Sequence, residues 1–136
     1  MNAFDGRASR TYADPVPDRV EPTEDGVARA FTDAHGQFLK FDHDAGCWYE
    51  WQGHRWKAEG TGRAFNYCRE IARAASETLK PETQAKLRKA SFASGVEKMA
   101  RCDPTHSIRQ EDWDADPWAL GCPTMTINLR SGEAYD

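Results

Sequence analysis

Residues 47–60, CWYEWQGHRWKAEG, decide how this chain is read. Three of the five tryptophans, Trp48, Trp51 and Trp56, fall within nine positions, with Tyr49 between them. The alternation is too tight for a helix and Gln52-Gly53 carries turn chemistry, so strands are expected near 47–51 and 54–57. Period two sets Trp48 against Tyr49 and Trp51, so all three indoles share a face only if a turn resets the register. Two uses compete for these rings. Exposed, each could stack a nucleobase for about 1–3 kcal/mol; buried, they would fill the core of a chain short of Leu and Ile. Parity assigns Trp51 and Trp56 to the core and Trp48 to the surface.

Working outward, QFLKFDHDAG (37–46) supplies a strand over 37–42 and a turn, which completes a three-stranded antiparallel meander. Leu39 and Phe41 face one way, and Phe38, Lys40 and Asp42 the other. TEDGVARAFTDAHG (23–36) reads as a helix, with Thr23 as N-cap and two acids in its first turn. Val27, Ala30, Phe31 and Ala34 fall on one face, and Gly36 stops it. Residues 1–22 hold three prolines and no apolar periodicity, as expected of a disordered arm or linker.

Downstream the period changes to 3.6. Over 61–80, Ala64, Phe65, Cys68, Ile71, Ala72, Ala75 and Leu79 form one arc, while Arg69, Arg73, Ser76 and Lys80 gather at the edge of the other. Pro81 opens another helix over about 81–90. SFASGVEKMARC (91–102) gives a third, with Phe92, Val96 and Met99 facing inward. Beyond Asp103-Pro104, Met125, Ile127 and Leu129 alternate with Thr126, Asn128 and Arg130 as a strand that turns at Ser131-Gly132. The fold class is therefore α+β, a small antiparallel meander packed with a few short helices, in one domain over 23–136. The chain ends four residues past the last turn, as a piece of a longer protein would.

No apolar run approaches the roughly 18 residues of a membrane span, and the first residues lack a signal-peptide pattern, which points to the cytoplasm. Cys47, Cys68, Cys102 and Cys122 form no close pair of the kind a zinc site uses; they read as reduced thiols, three of them buried. The net charge of −4 conceals a division: Arg55 to Arg101 holds eleven Lys/Arg against five Asp/Glu, and the flanks are acidic. Such asymmetry marks either a polyanion surface or solvated helix faces. The candidate nucleic-acid contacts are Arg55, Lys57, Arg69, Arg73 and Lys80, with Trp48 for stacking.

Catalytic signatures are missing. There is no G-x-x-x-x-G-K-[ST] to cradle phosphates, no G-x-S-x-G and no H-E-x-x-H. Asp112, Asp114 and Asp116 alternate ahead of Pro117, but such a run reads as a solvated loop rather than a Mg²⁺ site. No cofactor or metal is expected, and a small metal-dependent nucleic-acid enzyme is the weakest reading.

The block WDADPWALGCPTMTINLRSGE (113–133) resembles the one that closes the amino-terminal domain ahead of the superfamily 3 helicase in phage and plasmid DNA primases of the poxvirus primase–helicase type. That family's aromatic-Asp pair, extended run with Pro and Asp-Leu-Arg-Thr-Gly-Glu correspond here to Trp113-Asp114, Pro117-Trp118 and Asn128-Leu129-Arg130-Ser131-Gly132-Glu133. Its W-x-G-x-x-W corresponds to Trp51, Gly53 and Trp56. Asn128 stands in place of the usual acid, and Thr124-Met125 in place of a common Asn-Gly turn. The resemblance covers about 25–133. It implies a non-catalytic positioning domain whose partners are the neighbouring primase and helicase domains and DNA. The alternative is an inter-domain or oligomerisation module that binds no nucleic acid.

Overall fold

The computed structural model describes residues 20–113 and 125–135, and the backbone of 119–121. Helix α1 spans Glu24–His35. The Thr23 side-chain oxygen accepts the Gly26 amide at 3.1 Å, and Glu24 and Asp25 complement the dipole in the first turn. Val27, Ala28, Ala30 and Phe31 are buried. Gly36 follows in a right-handed conformation, so glycine is required there by space rather than by φ. A Cβ would lie 2.6 Å from the Thr32 carbonyl oxygen and 2.7 Å from the Thr105 methyl.

Strands β1 (Leu39–Asp42), β2 (Cys47–Trp51) and β3 (Trp56–Glu59) form the expected antiparallel meander, the third starting two residues later than the sequence suggests. A fourth strand, β4 (Ser107–Ile108), pairs parallel with β1 and makes the sheet mixed, in the order β3-β2-β1-β4. Parallel pairing needs a long crossover, and here the chain between β1 and β4 includes the rest of the meander and three helices.

Those helices are α2 (Arg63–Ser76), α3 (Pro81–Leu87) and α4 (Ala90–Arg101). Helix α2 is shorter at both ends than its apolar period. The Glu59 carboxylate accepts the Arg63 amide at 2.9 Å and fixes its start. Its end comes at Ser76, which is fully buried rather than on the polar edge; the hydroxyl donates to the Arg73 carbonyl at 2.7 Å. Lys80 consequently belongs to the N-cap of α3, with Pro81 at the first helical position. On α4, Phe92 and Val96 are buried as expected, whereas Met99 is 49% exposed.

The core lies between α1, α2, α4 and one face of the sheet. Leu39, Phe41 and Trp48 present that face, and the assignment of the tryptophans is reversed from the sequence reading. Trp48 is 6% exposed, its ring edge-on to Phe41 at 5.3 Å and to Phe31 at 5.8 Å between centroids. Its indole Nε1–H donates to Glu97 Oε2 at 2.8 Å, so the one polar atom of the buried ring is satisfied by α4. Trp51 and Trp56 face the other way and are half-buried. Parity separated the indoles, but the side on which the helices pack decides which face is the core.

Buried His106 ties β4 to this core. Its Nδ1–H donates to the Leu39 carbonyl at 2.7 Å, and its Nε2 accepts from the Thr32 hydroxyl at 3.1 Å, a pairing that fits the neutral ring. Burial pushes its pKa below the ordinary value. Among the described cysteines, Cys68 is buried, Cys47 is half-buried and Cys102 is exposed, so the expectation of three buried thiols fails for this set. Burial raises the pKa of the Cys68 thiol.

A second antiparallel sheet contains β5 (Ala119–Gly121), β6 (Thr126–Asn128) and β7 (Ala134–Tyr135). The architecture is α+β. Val20 packs against the core, and the rest of the expected arm, 1–19, lies outside the described residues. Among the described residues no helix is long and apolar enough to cross a membrane.

Candidate nucleic-acid interface

Helix α2 buries Ala64, Tyr67, Cys68, Ile71 and Ala72, which leaves Arg69 and Arg73, one turn apart, on its solvent side. The α3–α4 junction comes up beside them. Arg69, Arg73, Arg88 and Lys89 line one small depression, with Leu87 and Ala93 as its apolar part. The enclosed space is only about 20 Å³, enough for one water-sized group and far too small for a nucleotide. The Arg88 Nε–H donates to the buried Ser76 hydroxyl at 3.2 Å, which orients the guanidinium, and Arg69 reaches Asn66 Oδ1 at 3.3 Å. None of the four cations forms an ion pair with another described residue. Arg88 and Lys89 were not among the sequence candidates because the notch is assembled from three helices, whereas a helical wheel compares residues within one.

The other candidates do not join this cluster. Lys80 is exposed at the α3 N-cap, and Arg55 lies in the β2–β3 turn, where its carbonyl accepts the Gln52 amide at 2.9 Å. Lys57 is exposed on β3 opposite Glu50, whose carboxylate is paired with Arg63. Trp48 drops out of the interface, because a ring enclosed by Phe31, Phe41 and His106 cannot receive a base.

The motif residues occupy the other face of the sheet and the turn beyond it. Trp51 and Trp56 are paired across the hairpin with ring centroids 5.4 Å apart, and Gly53 in the turn has φ of 94°. Trp113 lies 6.0 Å from Trp56 and 4.8 Å from Tyr49. It is anchored by its Nε1–H, which donates to Asp42 Oδ2 at 2.7 Å. Asp42 also accepts the amides of Asp44 and Ala45. The Trp113 bond and the Ala45 amide hold its carboxyl below the ordinary range. Asp44 accepts the Gln110 amide and pairs with Arg109 at 3.3 Å; these two contacts, the amide first, lower its pKa in the same way.

In the terminal motif, Asn128 Oδ1 accepts the amides of Arg130 at 2.9 Å and Ser131 at 3.2 Å, while Gly132 turns the chain at φ 79°. An asparagine oxygen accepts as a carboxylate oxygen would, so the departure from the usual acid keeps the turn. Leu129 and Arg130 are exposed. Asp114, Asp116, Pro117 and Trp118 lie outside the described residues. Asp112 receives the Arg109 amide at 2.8 Å, and no group of three or more His, Cys, Asp or Glu side chains able to hold a metal occurs among the described residues.

No curated protein and no solved structure matches the chain. The family described as D5 N terminal like matches residues 28–136, most of the chain and both motif segments. With its α+β fold and both motif turns in place, the chain belongs to the D5 N-terminal-like family, the amino-terminal domain of poxvirus D5-type primase–helicases.

Proposed function

We propose that this chain is a non-catalytic positioning domain of a phage or plasmid DNA primase–helicase, set between the primase and helicase parts and touching DNA through its helical side. Family membership supports the primase–helicase context. The observation that carries the DNA contact is the convergence of Arg69, Arg73, Arg88 and Lys89 on one surface notch without a carboxylate partner among the described residues. Cations that line one notch attract a polyanion, which releases its condensed counterions on binding. Lys80, Arg55 and Lys57 are exposed apart from the notch as separate candidate phosphate contacts, and the half-buried indoles of the sheet's other face are assigned to packing rather than base stacking.

Amide chemical-shift mapping with a single-stranded oligonucleotide at low salt tests this reading. Perturbations concentrated on α2 and the α3–α4 junction are expected. Perturbations absent everywhere, with the domain folded, would leave the inter-domain module that binds no nucleic acid as the better reading.

A further inference from the structure

We infer that the notch formed by Arg69, Arg73, Arg88 and Lys89 is a seat for the terminal phosphate monoester of a nucleic-acid strand. The inference rests on the DNA-contacting reading above and narrows it to one chemical group. Two features of the notch select that group. It is a shallow depression open to the surface that offers no enclosing pocket for a base, so recognition is of the phosphate and independent of sequence. Its charge is the second feature. Four cations converge on it, whereas a backbone phosphodiester carries a single negative charge; a monoester carries about −1.5 to −2 near neutral pH and offers three acceptor oxygens. Arginine forks match those oxygens two at a time, and the Ser76 hydroxyl already fixes one fork, that of Arg88.

Lys89 is the N-cap residue of α4 and contributes no side-chain cap, whereas Arg73 in the last turn of α2 and Arg88 at the C-cap of α3 stand at the negative ends of their helices, so the side-chain charges rather than the helix dipoles select an anion here. A free nucleotide would offer the notch the same phosphate without further phosphates beside it. A strand end would add contacts along the basic helical side.

The test uses the whole chain and a 12-nucleotide single strand labelled at its 3′ end, prepared with either a 5′-phosphate or a 5′-hydroxyl, with binding followed by fluorescence anisotropy. The 5′-phosphorylated strand should bind roughly tenfold tighter, the equivalent of one added charge-assisted hydrogen bond. Arg88→Gln with Lys89→Gln should erase that preference. Lys89→Gln alone, which leaves the Arg88–Ser76 bond in place, should reduce it without altering Tm. Equal affinity for both strands, weakened by Arg69→Ala with Arg73→Ala, would overturn the strand-end assignment and leave the backbone contact standing. A preference that survives in the Arg88/Lys89 variant would place the terminal phosphate elsewhere and also overturn it. Competition by a free nucleoside monophosphate as effective as by the phosphorylated strand would replace the strand end with a free nucleotide. No binding of either strand at low salt would overturn both the seat and the DNA contact.

Discussion

Charges on the two sides of this molecule are handled in opposite ways. Around β1 they are paired: Asp42 accepts Trp113 and two amides, Asp44 holds Arg109 and the Gln110 amide, and Glu97 receives both the Trp48 indole and Arg101. Across α2, α3 and α4, four cations meet at one notch and none has an ion-pair partner among the described residues. Polar groups that hold the fold together satisfy one another. A cluster that leaves its charge open contributes little to stability and is available to a ligand.

The sharpest way to test the paired side is to remove Trp48. Trp48→Ala strips an indole from between Phe31, Phe41 and His106 and leaves Glu97 without its donor, so a loss of about 3–5 kcal/mol is expected in urea unfolding. A loss under about 1 kcal/mol would mean that the ring is not a core residue.

A smaller effect comes from acid. His106 is held neutral below its ordinary pKa of 6.5, so only the unfolded chain takes up a proton just under that value. Stability should be complete above about pH 6.5 and fall as the pH drops toward the folded-state pKa. Asp42 and Asp44 have pKa values below the ordinary 3.8, so their contribution is present above about pH 4 and is lost as the pH falls through their folded values. Tm measured across pH 7.5 to 3 should therefore decline in two steps. His106→Gln should remove the upper one, and an unchanged upper step would assign it to another group.

The smallest stability effect is expected on the open side. Arg69→Ala with Arg73→Ala should move unfolding free energy by no more than about 0.5 kcal/mol, because both side chains are exposed and neither is paired with a carboxylate among the described residues. A drop of 2 kcal/mol or more would show that these arginines belong to the paired class after all.

How far the sequence disclosed this division depends on distance along the chain. Thr23 as cap, the apolar faces of α1 and α2, the β2–β3 hairpin and Pro81 at the start of α3 were legible because each is decided within a turn or two of chain. Strand β4 was not: two residues carry no period, and they become a strand only because β1 and His106 bring them to the sheet edge. Trp48 was misassigned for the same reason. Alternation separates faces, but α4, nearly fifty residues away, supplies the Glu97 that makes its face the inner one. The candidate site was half legible. Arg69 and Arg73 share one helical arc, whereas Arg88 and Lys89 join them only through the packing of α3 and α4.

We propose that the open cations neutralise phosphates. The most direct measurement is the salt dependence of single-stranded DNA binding by the chain and by the Arg69→Ala/Arg73→Ala variant. Each neutralised phosphate contributes about 0.7 to the negative slope of log K against log salt. The account predicts weak, steeply salt-dependent binding by the chain and a slope flattened by about 0.7 to 1.4 in the variant, the lower figure if both arginines serve one phosphate. Parallel lines of equal affinity for the two proteins would contradict it.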